Sequence, residues 1–453
     1  MSMRKALRTW MIGLLFLGYH LQEAQAQMGE PDSVLNKNEK KVQFMFRRGK
    51  PPLDTTYANV ASGEFTPGKG FDLVKSKFGS LNLSMYGMAR WLDQMPGNQT
   101  WSDHLDSVRS FKGRNDIFWH RAMIWFSGFL GTPKLTYMIT VWTVMTTQQT
   151  LVYGNIQYKI NDHLRLGAGI YPNLCNRTLQ GPFPFFFSTD RTMAEDALRG
   201  GFTNGFFVYG IIVPRLNYTF FIGNNLSTLG IQASKLTRDM SVSGDLVCTP
   251  TTGEFGPRGG NMDFEWHKRV ATRFGVSYCH SREDRFNNIG TPSPDNTQVR
   301  NSDGVLLFET GALATGVTVQ KADFDYLAVD AGMKYSGLHL QAEFFWRQLS
   351  KFETDGEVPE ATIIDKAFWF AASQMAIPRI LCVYGITSVF FDQWKRHPWE
   401  AGGGVNIYPL KTRNWRLNVQ CLYVYKSAAG GTFGLYTAGQ TGTTVTIGSD
   451  ILL

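Results

Sequence analysis

After its first segment the chain has no long hydrophobic run, and it has little charge, few cysteines and no familiar catalytic motif. Past Ala26 there is no stretch of about eighteen uninterrupted apolar residues, which excludes a helical membrane span there. Charged residues make up 18% of the chain. An ordinary soluble domain carries roughly a quarter. The five cysteines, Cys175, Cys248, Cys279, Cys382 and Cys421, are odd in number and far apart. Without a CxxC pair or a metal-ligand spacing they read as small packing residues, not as a disulfide framework or a metal site. No GxSxG elbow, HExxH helix, P-loop or helix-opening GxGxxG occurs. His120, His163, His267, His280 and His339 are scattered, with no nucleophile beside any of them. No enzymatic activity and no cofactor is expected.

The first residues indicate export. Arg4, Lys5 and Arg8 precede an apolar run from Trp10 to Tyr19, and Ala24-Gln25-Ala26 supplies small residues for a signal peptidase. That run is about ten residues, half of what a spanning helix needs. Residues 1–26 are therefore read as a signal peptide, and Gln27 in place of Cys disfavours a lipid anchor. Removing Arg4, Lys5, Arg8 and Glu23 lowers the formal charge of +8 by two, to +6. This modest excess suits anionic solutes or lipid headgroups and does not indicate nucleic acid.

Aromatic residues are abundant, with 33 Phe, 17 Tyr and 12 Trp. From Gly79 onward the pattern has a period of two. Leu81, Leu83, Met85, Gly87, Ala89 and Trp91 alternate with Asn82, Ser84, Tyr86, Met88 and Arg90. Similar alternation recurs over 134–141, 152–160, 164–170, 327–335, 338–347 and 416–426. Such strands have two solvents, lipid on one face and a wet lumen on the other. The expected fold is all-β: a transmembrane antiparallel barrel over 79–453, in a bacterial outer membrane. Residues 27–78 are expected to form a polar leader, on the periplasmic side or partly plugging the lumen. Ile117–Gly128 and Phe206–Val213 are apolar at both parities, which suits inner packing or a subunit contact.

Inward parity assigns Arg90, Arg121, Lys134, Lys159, Arg165, Lys334, Arg347 and Arg416 to the pore lining, with Asp330 and Glu343 as acidic neighbours. Rings of cations attract anions, and a low-dielectric wall focuses their field. The long connection from about Pro172 to Gly205 contains Phe185, Phe186 and Phe187 along with Arg177, Arg191 and Arg199. A segment that aromatic folds onto or into the barrel, which makes these residues a candidate constriction loop. Arg191 and Glu195 have the spacing of an i,i+4 pair on a short helix. Thr228–Gly260 and Asn287–Asp303 read as exposed loops; Asp323-Phe324-Asp325 would put two carboxylates on one strand face, able to bind a divalent cation, but a solvated turn is the favoured reading.

The strand at Leu81–Trp91, His120-Arg121-Ala122 leading to Gly128, and Arg165-Leu166-Gly167 resemble, in order, segments of the phosphate-selective porins O and P. So do Trp399-Glu400, Gly404-Val405-Asn406-Ile407-Tyr408, Arg416-Leu417-Asn418 and the aromatic stretch before Asp190-Arg191. The resemblance covers roughly Gly79 to Leu453. It implies a sixteen-stranded barrel that assembles as a homotrimer, with inward-folded loops narrowing the pore. The final strand ends in Leu453, where barrels commonly end in an aromatic residue. The expected activity is passive diffusion of small hydrophilic solutes, anionic ones preferred, with outer-membrane lipid and lipopolysaccharide as surroundings. The alternative is a structural or assembly barrel that docks an envelope partner without conducting.

Overall fold

Exposed apolar side chains and buried polar ones alternate along most strands, the reverse of a soluble protein. The computed structural model describes residues 66–144, 149–173, 177–179, 183–225, 239–285, 299–431 and 434–453. The segment read as a signal peptide, the leader as far as residue 65, and Cys175 lie outside the described residues.

The first eight barrel strands are β1 (Ser80–Met95), β2 (Asn115–Leu130), β3 (Thr132–Val144), β4 (Gln149–Lys159), β5 (Arg165–Pro172), β6 (Phe202–Val213), β7 (Leu216–Asn224) and β8 (Met240–Cys248). The others are β9 (Ala271–Asp284), β10 (Val319–Tyr335), β11 (Leu338–Thr354), β12 (Thr362–Ile377), β13 (Leu381–Phe391), β14 (Trp399–Ile407), β15 (Trp415–Tyr425) and β16 (Gly442–Leu452). Each pairs antiparallel with the next, and β16 returns to β1 with Ile447 opposite Trp91, closing a sixteen-stranded barrel. Closure satisfies every strand edge, the condition for β-structure in hydrocarbon.

Strand β9 shows the division of faces. Phe274, Val276 and Tyr278 are exposed on the outside, while Arg273, Ser277 and Cys279 are buried on the inside. In β2 and β6 the double-parity apolar runs sort in the same way. Met123 and Trp125 are buried inside and Ile117 and Ile124 exposed outside; Phe207 stacks on Tyr171 at 3.9 Å inside and Phe206 is exposed.

The two ends differ. One end carries short turns such as Ser336-Gly337, where both residues have positive φ (47° and 84°) as a two-residue hairpin turn requires. The other end carries longer connections, including a small hairpin of Asn98–Ser102 with Val108–Lys112 between β1 and β2. Short turns mark the periplasmic end of such barrels and long loops the extracellular end.

Several expectations change. Within the leader, Phe71–Lys75 forms a strand against the start of β1, with Phe71 opposite Leu83. Thr228–Gly260 is not an exposed loop over its described part. Met240–Cys248 is β8, and Phe255, Arg258 and Gly259 are buried inside the barrel. Its Gly, Pro and Thr content resembles a solvated loop, but Phe255 needs apolar cover. Similarly, Val299, Asn301, Ser302 and Asp303 are buried and not exposed, while 287–298 lies outside the described residues. Asp323 and Asp325 stand within β10, not in a turn. Asp323 accepts from Arg282 at 2.7 Å, and Asp325 accepts from Tyr278 at 2.6 Å.

Candidate functional site in the barrel lumen

The loop after β5 folds inward, as its aromatic content implies. Phe183, Phe186 and Phe187 are buried against the wall: Phe183 meets Tyr86 edge-on at 4.9 Å, and Phe187 stacks on His339 at 5.2 Å. Backbone carbonyls of this apolar run need donors, and the wall supplies them. Asn406 Nδ2 donates to the Phe187 carbonyl at 2.8 Å, and Arg416 Nη1 to that of Phe186 at 2.7 Å. A short helix α1 (Met193–Leu198) ends the aromatic stretch. Its N-terminus is closed by a reciprocal capping box between Thr192 and Glu195. Glu195 thus caps the helix, and Arg191 stands before its N-cap, outside the helix.

One carboxylate organises the loop's charges. Asp190 accepts from Arg121 at 3.0 Å, and lies 3.8 Å from Arg90 and 3.7 Å from Arg191. Burial pushes its carboxyl upward, but the three guanidinia outweigh this and hold it below its ordinary value. Across the loop, Glu400 accepts from the Met193 backbone N–H at 2.6 Å and from Tyr436 Oη at 2.6 Å. Burial raises the Glu195 carboxyl to about 7, against the opposing hydrogen bonds from Thr192.

A second segment enters from the periplasmic end, between β8 and β9. Its Asn261 N–H donates to the Phe185 carbonyl at 3.1 Å, and Arg258 Nη1 donates to that of Phe183 at 2.8 Å. Arg177 of the loop reaches the other way, donating to Asn261 Oδ1 at 2.6 Å and to the Gly259 carbonyl. Arg413 lies over Phe185 at 4.6 Å and Phe264 at 4.8 Å, joining both segments through cation–π contacts.

This periplasmic segment is pinned at its base by His267, which contacts Asp263 through Nδ1 and Glu254 Oε1 through Nε2 at 3.0 Å. Burial alone would lower the imidazole, but the two carboxylates raise it from 6.5 to about 9. A pKa raised on folding gives stability that is complete below about 6.5 and lost as pH rises through about 9. Amides of Gly256–His267 should therefore lose hydrogen-exchange protection between pH 7 and 10, after correction for intrinsic rates. His267→Gln should abolish that dependence, and equal protection at both pH values would contradict the clasp.

The eight pore-lining candidates fall into two groups. Arg90, Arg121, Lys334, Arg347 and Arg416 are buried. Lys334 donates to the Phe255 and Gly260 carbonyls at 2.8 and 2.6 Å, and Arg347 pairs with Asp365 at 2.5 Å. Lys134, Lys159 and Arg165 stand instead at the periplasmic mouth, on the parity of lumen-facing residues. Lys159 pairs with Asp162 at 2.6 Å, and Arg165 lies over Tyr209 at 5.6 Å. Among the loop residues, Arg199 meets Asp196 at 3.4 Å and Arg191 lies over Phe186 at 5.1 Å. Sequence reasoning missed Arg258, Arg273, Arg413, Glu400 and Tyr436. Arg273 has the inward parity of β9 and was open to the same argument; Arg258 and Arg413 lie in aperiodic turns.

No protein-family model matches the chain, and no curated protein does. Among solved structures, the outer-membrane OmpT of Vibrio cholerae is 10% identical, with a TM-score of 0.51, covering 84% of this chain and 99% of that one. The anion-selective porin from Comamonas acidovorans is 11% identical, with a TM-score of 0.48, covering 83% and 100% respectively. At these identities the likeness is one of fold. The chain is a sixteen-stranded outer-membrane β-barrel with a porin-like fold.

Proposed function

We propose that the protein is an outer-membrane porin for passive diffusion of small hydrophilic solutes, with a preference for anions. The observation that carries this reading is a loop inserted into a closed barrel and held to its wall by Arg90 and Arg121 through Asp190. Lys134, Lys159 and Arg165 at the mouth add positive potential where solutes meet the lumen. Exposed Ile117 and Trp119 on the outer face of β2 support a contact between copies in a homotrimer.

The reversal potential in a potassium chloride gradient tests the selectivity. It is expected on the anion side, and to move toward the cation side when Lys134, Lys159 and Arg165 are replaced by Glu. An unchanged potential would remove the mouth from the account. A second reading, a closed barrel that docks an envelope partner, draws support from the bonds joining the two inward segments at Phe185–Asn261 and Phe183–Arg258. Absence of any conductance would favour it.

A further inference from the structure

The cations at the rims of the barrel differ in whether a carboxylate faces them. At the extracellular end Arg109 sits on Asp103 at 3.0 Å, Lys321 on Asp239 at 2.8 Å and Lys351 on Asp323 at 2.9 Å, and at the periplasmic end Lys159 sits on Asp162 at 2.6 Å. At the periplasmic end Lys268, Arg379 and Lys411 are exposed in the turns before β9, β13 and β15. Among the described residues none of these three has a carboxylate within ion-pair distance. The nearby turn acids are engaged elsewhere, Glu254 with His267 and Glu265 with Arg413.

Each of these cations also has an exposed apolar neighbour. Lys268 is two residues from Val270, Arg379 two from Ile377, and Lys411 adjoins Leu410, which is 60% exposed. The pattern continues before β1, where Lys77 lies over the ring of Phe78 at 4.9 Å and Phe78 is 70% exposed. Phe71, opposite Leu83 on the outer face, extends the lipid-facing surface of the barrel toward this rim. An apolar side chain beside an unpaired cation, repeated around the edge of a lipid-facing band, matches the boundary between acyl chains and headgroups.

We infer that the periplasmic rim, through Lys268, Arg379 and Lys411, binds the phosphates of anionic phospholipid headgroups in the inner leaflet of the outer membrane. The apolar neighbours seat in the acyl region and the cations reach the headgroups, which orders a shell of anionic lipid around this end. The inference does not depend on whether the lumen conducts.

The test uses the full-length protein folded into phosphatidylcholine bilayers, with spin-labelled phosphatidylglycerol and spin-labelled phosphatidylcholine as probes. The motionally restricted fraction of each label reports its preference for the protein surface. Phosphatidylglycerol is expected to be preferred by about three- to fivefold, with most of that lost in half-molar salt. In Lys268→Gln/Arg379→Gln/Lys411→Gln the preference should fall toward one at low salt, with the folded band on semi-native gels retained. Equal restriction of the two lipids by the unmodified protein would overturn the inference, as would an undiminished preference in the folded triple variant. Should the variant not fold, the salt series on the unmodified protein decides: a preference that survives half-molar salt overturns the assignment.

Discussion

Asp190→Asn is expected to loosen the constriction loop and to make the barrel more anion-selective. The carboxylate accepts from Arg121 at 3.0 Å and lies within 3.8 Å of both Arg90 and Arg191. The amide keeps the size of the side chain but leaves three buried guanidinia without the charge they share. Removing one member of a buried ion pair destabilises by about 3–5 kcal/mol, because the partner charge stays desolvated. That strain falls first on the loop, since Asp190 sits on it while Arg90 and Arg121 belong to β1 and β2. Protease sensitivity between Phe183 and Leu198 should rise, and the reversal potential should move further to the anion side as the lumen gains a positive charge. A variant with unchanged protease pattern and potential would show that Asp190 neither anchors the loop nor faces the permeation path.

The other large effect is expected at Arg416. Its guanidinium forms a two-pronged pair with Asp450, at 3.0 and 2.7 Å, and a third bond to the Phe186 carbonyl at 2.7 Å. It therefore ties β15 to β16, the strand that closes on β1, and ties both to the loop. Arg416→Leu leaves a buried carboxylate whose remaining hydrogen-bond partner among the described residues is Tyr86 Oη at 3.4 Å. A loss of about 3–5 kcal/mol follows by the same reasoning. The double variant Arg416→Leu/Asp450→Leu should recover most of that loss, since the penalty lies in the orphaned charge and not in the absent bond. Denaturant unfolding in lipid vesicles measures both. A double variant no more stable than the single one would mean that the bond to Phe186 dominates.

What was legible beforehand follows from what periodicity reports. In β1 and β11 alternation assigns each side chain to lipid or lumen, because a one-residue slip would put Arg90 or Arg347 into hydrocarbon. The inward fold of the aromatic loop was legible for a related reason: Phe185, Phe186 and Phe187 together cannot remain in water. Parity says nothing of partners, however. Lys334 has the inward parity expected of it, yet its amine ends on the carbonyls of Phe255 and Gly260, in a segment whose composition reads as an exposed loop. The inward periplasmic segment was hidden for that reason, and with it Arg258 and Arg413, whose positions depend on contacts far apart in the chain. The short strand Phe71–Lys75 was hidden because a bulge between Asp72 and Val74 interrupts its alternation.

Single-channel recording of the purified protein in planar bilayers is the direct test of whether the barrel conducts. Discrete, reproducible current steps are expected, with a zero-current potential on the anion side in a salt gradient. A protein that inserts as a folded barrel and shows no steps at any voltage would contradict the proposed function.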